Sequence, residues 1–555
     1  MYNKGILKKS LICLLIILTL AVFLRTYQLD KVPSSLFGDE VDVGYQAYSL
    51  LKTGQDLKGN SWPILVQSFT EYRAPLFIYS SIPFIAVFGL NEWGVRLPVV
   101  FWGILGVLGA YFLTKKLLNN NVALLTVLTL SLSPWHIQYS RAAFEVTMLF
   151  SFFIWGTYFF LKRGYYLIFV ALLFALTPYI YSTAVVFMPL LTIILLIIYQ
   201  KEIRKDIPKA AIALIIMILI LLPFIYQTLS GNAGERFGKI SIFSNQELSD
   251  KVLLSQQADP GVQSKIFHNK PLIWLQYFTQ NYLRSFSPEF LFLSGDPNFR
   301  HSIHEMGEQY FYELILLLMG IWVSIKSNFK NKWLILGWIL IAPIPAALTY
   351  DGGFHATRTF TMLLPLSIFI ALGADFLISN FQKSIFKYLK IFFLVLIIFN
   401  VSFYLHRYFT HYPAESWRAW HDGFKESLLF TKSIENRYER VYFNNTYEPM
   451  LSRFLFWYAY DPNLFHKQFS GFDYNINEES GFRGFKIGEK YYFGEVPQPY
   501  QKLVSKNNLL VASVRDDIKL PEWLEDPNVK LLKTVYSPSH EPIFYVLTGN
   551  EIQEK

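Results

Sequence analysis

Long apolar runs alternate with short charged turns along most of the chain. Runs such as Leu11–Leu24, Leu97–Leu113, Ala210–Leu229 and Ile391–Leu405, taken with their flanks, approach the ~20 residues of helix that span a bilayer core of about 30 Å. In order, candidate spans lie at about 11–24, 75–90, 97–114, 122–139, 146–161, 165–182, 184–200, 209–229, 310–325, 332–350, 359–379 and 387–405. Basic turns mark the cytoplasmic side of such a chain. Those at Lys115/Lys116, Lys162/Arg163, Lys201–Lys209, Lys326–Lys332 and Lys383–Lys390 are separated by even numbers of spans and so agree with one another. One conflict remains between Arg25 and Lys115, where two candidate spans stand and parity allows one. Either Pro75–Leu90 or a neighbour stops short of crossing, or one basic cluster breaks the rule.

Three stretches interrupt the apolar pattern. The first outer loop, about 25–74, contains Asp39–Leu51, in which Val41, Tyr45, Tyr48 and Leu51 share one helical face. The second, about 231–309, holds an amphipathic patch at Trp274–Phe286 and the turn-rich Ser294-Gly295-Asp296-Pro297-Asn298. The third is the tail. Arg440–Phe443 and Asn508–Ser513 read as strands, Leu451–Tyr460 as a helix, and Val529–Tyr536 with Pro542–Leu547 as a closing hairpin. The expected organisation is a transmembrane domain over 1–410 and a soluble α/β domain over 411–555.

Composition narrows the class. Charged residues make up 16% of the chain, against about 25% in soluble proteins. A cytosolic enzyme, a disordered chain and a disulfide-built secreted domain are excluded, as is an outer-membrane barrel, whose strands alternate in short segments. The net charge of +9 comes with lysines concentrated in the turns between spans, which points to membrane orientation and not to nucleic acid. The one cysteine, Cys13, lies in the first apolar run and builds neither a disulfide nor a metal site. Lys4, Lys8 and Lys9 precede that run, and no small-x-small cleavage site follows it. The expectation is an uncleaved first span with a cytoplasmic N-terminus.

Charged groups beside spans are costly and therefore candidates for function. Gly38-Asp39-Glu40 pairs two carboxylates suited to acid–base work or metal binding. They equally suit the N-terminus of the helix that follows, with Asp39 as its cap. Glu71-Tyr72-Arg73-Ala74-Pro75-Leu76 and His355-Ala356-Thr357-Arg358 each precede a span. Their basic groups fit phosphate recognition or interfacial anchoring. Arg96 and Arg141 also border spans, where a snorkelling anchor is the plainer role. Phosphate-cradling nucleotide motifs are absent from the sequence, so a transferase of this kind would draw on a membrane-borne activated donor.

Leu36-Phe37-Gly38-Asp39-Glu40, Tyr45-Gln46-Ala47-Tyr48-Ser49-Leu50-Leu51 and Thr53-Gly54 resemble the first outer loop of the GT-C glycosyltransferases, in particular the protein O-mannosyltransferase and aminoarabinose-transferase superfamily. Arg73-Ala74-Pro75-Leu76, Asn91–Pro98, Ser133-Pro134-Trp135 and Ser140-Arg141 follow in the family's order, over roughly residues 1–410. The resemblance implies an all-α polytopic GT-C fold of about 11–13 transmembrane helices, followed here by a small C-terminal α/β soluble domain. It implies inverting transfer of a sugar from a polyprenyl-phosphate donor to an acceptor hydroxyl on a lipid, glycan or protein. The residue matching Asp39 would be the general base, with Glu40 beside it. Glu71, Arg73, Arg96, Arg141, His355 and Arg358 are the candidates for binding substrate or lipid phosphate. No cofactor is demanded; a divalent cation could be held by Asp39, Glu40 or Glu71. The implied location is the plasma membrane, multi-pass, with the site and the tail extracytoplasmic. The alternatives are a polytopic transporter or lipid flippase, which would share the spans and outer charges, and a non-catalytic scaffold.

Overall fold

The computed structural model describes residues 4–69, 72–230, 238, 240–259, 261–327, 329–380, 385–468, 476–477, 482–496, 503–514 and 525–550. The chain forms two compact units. One comprises Met1–Tyr27, Glu71–Phe77 and Leu97–His406; the other comprises Gln28–Thr70, Ile78–Arg96 and Arg407–Lys555. The segment that carries Asp39 thus belongs to the same unit as the C-terminal sheet.

The first unit is the membrane region. Among the described residues five helices are long and apolar enough to cross a bilayer: Lys8–Thr26, Glu92–Leu117, Ile207–Leu229, Ala356–Ser379 and Ile391–Ser416. Shorter apolar helices at Asn120–Leu132, Val146–Lys162, Tyr166–Tyr179, Ala184–Ile198 and Lys332–Ala347 fill the bundle. Ile212, Leu214, Ile215, Ile218, Leu219 and Leu222 are all exposed along one helix, and Phe392, Leu394, Val395, Ile398 and Phe399 along another. Apolar surface on that scale suits lipid, not water. Two helices meet through small residues. A Cβ on Gly320 would sit 1.7 Å from the Phe369 carbonyl oxygen, and one on Gly373 2.0 Å from that of Leu316. Backbones approach this closely only without side chains between them.

Several motif residues have structural work in this bundle. Ser133 caps the helix Pro134–Tyr139, its hydroxyl accepting from the His136 N–H at 3.3 Å, with Pro134 at the first helical position. Arg25 is fully buried at the end of the first helix. It donates to the carbonyls of Ala21, Leu130 and Ser131 and contacts His136 Nδ1 at 2.7 Å.

The apolar run expected as a span at Pro75–Leu90 is a shorter apolar helix. The helix there is Leu76–Phe88, 13 residues ending at Gly89 in the left-handed conformation. Thirteen residues reach about 20 Å, short of the hydrocarbon core. Its residues from Ile78 onward belong to the second unit. The turn at Lys383–Lys390 lies largely outside the described residues, and Glu71 is outside them as well.

The second unit is built on a seven-stranded mixed sheet. Its strands are β1 (Arg440–Asn444), β2 (Ile476–Asn477), β3 (Arg483–Ile487), β4 (Tyr491–Glu495), β5 (Asn508–Ser513), β6 (Val529–Tyr536) and β7 (Pro542–Gly549). Their order is β2-β3-β4-β1-β5-β7-β6, with β1 parallel to β4 and β5 and the other pairs antiparallel. Alternation along β1 sends Tyr442 into a core with Phe482, Tyr492, Leu510 and Leu547. Phe443 faces the other way, against Phe454 and Phe493. Phe454 lies on the helix Met450–Trp457, which packs against the helix Gly38–Thr53. The contact is close: a Cβ on Gly44 would fall 2.5 Å from the Phe456 ring and 2.8 Å from Val95. The Tyr45 hydroxyl donates to the Tyr460 carbonyl at 2.9 Å. The carboxylate-bearing helix is keyed into the C-terminal domain.

Candidate functional site

The two adjacent carboxylates at the start of Gly38–Thr53 have opposite environments. Glu40 is fully buried and Asp39 is exposed. Glu40 accepts from Arg96 Nε at 3.1 Å and Nη2 at 3.2 Å, and from the Phe37 N–H at 3.3 Å. Phe37 is the N-cap residue, so Glu40 makes the reach back to the cap and Asp39 does not cap the helix. Arg96 also donates to the carbonyls of Leu29, Pro33 and Ser35. These bonds occupy all five guanidinium donors. Glu40 and Arg96 thus form a buried ion pair at the start of the helix, where Arg96 joins the carboxylate to the Leu29–Ser35 turn. Arg141 is likewise fully buried and donates to the Leu24 carbonyl at 2.9 Å, near the end of the first helix.

Asp39 shares its surroundings with residues that the sequence did not single out. Arg453 Nη2 lies 3.4 Å from where a Cβ on Gly38 would be. The Arg453 guanidinium donates to the Pro449 carbonyl and to His421 Nδ1, each at 2.7 Å, and sits over the Phe424 ring. A guanidinium only donates, so His421 Nδ1 accepts and its proton is on Nε2. Nε2 in turn lies 3.3 Å from Glu448 Oε1. Burial lowers the Arg453 pKa to about 10, opposed by the charges of Glu448, Tyr447 and Asp39, and leaves it cationic at neutral pH. Asp422 next to His421 is pushed up to about 6 by burial, against the hydrogen bond it accepts from the Gly423 N–H.

The first unit holds the remaining candidates. Arg73 is buried and lies 3.9 Å from Glu145. Phe144, next along the chain, contacts the His301 ring, which neighbours the His355 ring at 5.5 Å. His301 Nδ1 is 3.0 Å from the Tyr139 hydroxyl, which bonds Thr357 at 2.7 Å. Arg73 and His355 are thereby joined by a short run of contacts. Arg358 turns to Asp351 and to the Thr349 hydroxyl. A cleft of about 290 Å³ is lined by Asn281, Arg284, Asp296, His301, Asp351 and His355, with Tyr350 and Phe354 as its aromatic wall. Asp296 accepts from the backbone N–H groups of Asn298 and Ala356, both at 2.8 Å, and burial raises it to about 6. Glu308, which accepts from the Asp296 N–H, is raised by its own burial and then by the Asp296 charge. The turn-rich Ser294–Asn298 stretch signalled this loop; Tyr139, Glu145 and His301 carried no sequence signal. Among the described residues no three metal-ligating side chains gather.

A sequence model of the dolichyl-phosphate-mannose-protein mannosyltransferase family matches residues 72–226. That stretch contains Arg73–Leu76, Asn91–Pro98 and Ser133–Arg141, and the match shows the glycosyltransferase resemblance that those motifs carry. No curated protein matches the chain significantly. Solved structures with a similar course of chain include ArnT from Cupriavidus metallidurans in the apo state, with 11% identity, a TM-score of 0.42 and coverage of 98% of each chain. The same protein bound to undecaprenyl phosphate gives 12% identity and a TM-score of 0.42, over 96% of this chain and 97% of that one. The archaeal oligosaccharyltransferase AglB from Archaeoglobus fulgidus, in complex with an inhibitory peptide and a dolichol-phosphate, gives 13% identity and a TM-score of 0.45 over 77% of this chain and 58% of that one.

Proposed function

We propose that this multi-pass membrane protein is a glycosyltransferase that moves a sugar from a polyprenyl-phosphate donor to an acceptor hydroxyl on the extracytoplasmic face, with inversion. Asp39 takes the acceptor proton, the acceptor oxygen bonds the anomeric carbon, and the bond to the lipid phosphate breaks. The leaving group is a phosphate monoester, so one base suffices where glycosidases use two carboxylates. The observation that carries the reading is the contrast at residues 39 and 40. Glu40 is consumed by Arg96, which leaves Asp39 as the exposed carboxylate of the motif. Arg73, His355 and Arg358 supply charge and hydrogen bonds of the kind that stabilise a departing phosphate. The donor class agrees with the description of the family matched over 72–226. A divalent cation at Asp39 is not required by this chemistry.

The test is transfer by purified protein in detergent from radiolabelled polyprenyl-phosphate mannose, glucose and aminoarabinose into membrane-extract acceptors. Label should enter acceptor from one of these donors with release of polyprenyl phosphate. Failure with all three, while the protein moves the same lipids between leaflets of a vesicle, would replace the enzyme by a flippase.

A further inference from the structure

The cleft lined by the end of the helix Lys270–Arg284 and by Tyr350–His355 holds polar groups that nothing else in the fold uses. Gly353 lets the two walls come close: a Cβ there would fall 2.9 Å from Arg284 Cδ and 3.1 Å from Asn281 Oδ1. Asn281 is buried and donates its amide N–H to the Thr349 carbonyl at 2.8 Å, which leaves Oδ1 as its acceptor. Among the described residues no donor reaches Oδ1. Arg284 is exposed and makes no hydrogen bond or ion pair among them; its guanidinium stands over the Phe354 ring at 5.5 Å. Asp296 is buried, and each of its oxygens accepts one backbone N–H, from Asn298 and from Ala356, and keeps a further lone pair. The Tyr350 ring is fixed by stacking on Tyr277 at 5.7 Å and by a hydrogen bond from its hydroxyl to Glu247.

We infer that this cleft binds the sugar ring of the donor, with Asn281, Arg284 and Asp296 as its polar contacts, and that the sugar is a neutral hexose. The inference rests on the reading that puts His355 at the donor phosphate: His355 lines the same cleft, and the sugar is bonded to that phosphate. Three features select the ligand. Open donors and acceptors stand together. A phosphate only accepts and would oppose Asp296 and Asn281 Oδ1, an ammonium only donates and would oppose Arg284, and a hydroxyl does both. Charge is balanced, with Arg358 paired to Asp351 and Arg284 set against Asp296, so the cleft asks for no net charge. The Tyr350 and Phe354 rings offer apolar faces to the C–H side of a sugar. The volume of about 290 Å³ is at the small end of ligand pockets and suits one ring, not a polymer.

The experiment is equilibrium binding to the full-length protein in detergent. The probes are radiolabelled polyprenyl-phosphate mannose, glucose, galactose and aminoarabinose, with sugar-free polyprenyl phosphate as the reference. In the wild type at least one hexose donor should bind about 10- to 100-fold tighter than the sugar-free lipid, the scale of a hydrogen bond to a charged group. The aminoarabinose donor should bind no tighter than the reference. R284Q should bring the hexose donor to within about threefold of the sugar-free lipid while the Kd of that lipid stays within about twofold. Gly353→Ala, whose methyl would press on Arg284 and Asn281, should do the same and replaces R284Q if that variant does not fold. A wild type that binds no hexose donor tighter than the sugar-free lipid overturns the inference, as does one that favours aminoarabinose. So does a variant that weakens the sugar-free lipid as much as the donor, which would put the phosphate in the cleft. So does a variant with unchanged donor affinity and a raised acceptor KM, which would put the acceptor there. Each of these results leaves the transferase standing so long as labelled sugar still reaches acceptor; a wild type that transfers none fails that reading instead.

Discussion

Glu40→Gln separates structural from chemical roles at the paired carboxylates. Both side chains of the Glu40–Arg96 pair are 0% exposed, and they share two N–H···O bonds at 3.1 and 3.2 Å. Glutamine is nearly isosteric, but it removes the charge and turns one acceptor into a donor. That donor must face Arg96 or the Phe37 N–H, both donors themselves. Breaking one side of a buried pair costs about 3–5 kcal/mol, mostly from the uncompensated charge left behind. In a unit of about 200 residues each kcal/mol moves the unfolding midpoint by roughly 2–4 °C, so the expected loss is on the order of 10 °C. The assay is tryptophan-fluorescence unfolding in detergent, beside turnover normalised to folded protein at a temperature below the variant's transition. Turnover should stay within about threefold of wild type. An unchanged midpoint with turnover lowered by a hundredfold or more, the cost of a lost base, would show that Glu40 reacts and that its closure by Arg96 does not hold in the working enzyme.

Gly320→Ala should lower stability by about 1–3 kcal/mol, read as a falling unfolding midpoint, because its Cβ would meet the Phe369 carbonyl oxygen at 1.7 Å. Asp422 gives a pH dependence of known sign. Its folded pKa, about 6, lies above the ordinary 3.8 through burial, so the folded state holds the proton more tightly. Stability contributed this way is present below about pH 4 and is lost as pH rises to about 6, roughly 3 kcal/mol in all. Unfolding midpoints of Asp422→Asn should lack that fall. Lys530→Cys in a Cys13→Ala background should react with a membrane-impermeant maleimide in intact cells, Lys530 being exposed; labelling only after lysis would place the tail in the cytoplasm.

Periodicity was sufficient wherever one face of an element is buried locally. The helix expected at Asp39–Leu51 is Gly38–Thr53, and the amphipathic patch Trp274–Phe286 overlaps the helix Lys270–Arg284. The strand Asn508–Ser513 and the Val529–Tyr536 hairpin follow the same logic. The β3–β4 pair escaped because Gly484 and Gly494 face each other across it, and a glycine pair has no apolar pattern to read. The apolar run after Pro75 looked like a span because hydropathy does not register where a helix stops, which Gly89 decides. At the site, spacing could not separate Asp39 from Glu40. Neighbours on a helix point about 100° apart, and which one is buried depends on Arg96, a partner supplied by a distant segment. Arg453 and His421 were invisible for the same reason, more strongly: their relation to Gly38 exists only once the tail has folded against the first outer segment.

The central claim, that an exposed Asp39 carboxylate takes the acceptor proton during transfer from a lipid-phosphate sugar, is tested most directly by single-turnover transfer from polyprenyl-phosphate sugar to acceptor in wild type and Asp39→Asn. The account predicts a rate lowered by about 10²–10⁴ in the variant, the range for loss of a general base, with donor binding and unfolding midpoint unchanged. A variant that transfers sugar at the wild-type rate would contradict it.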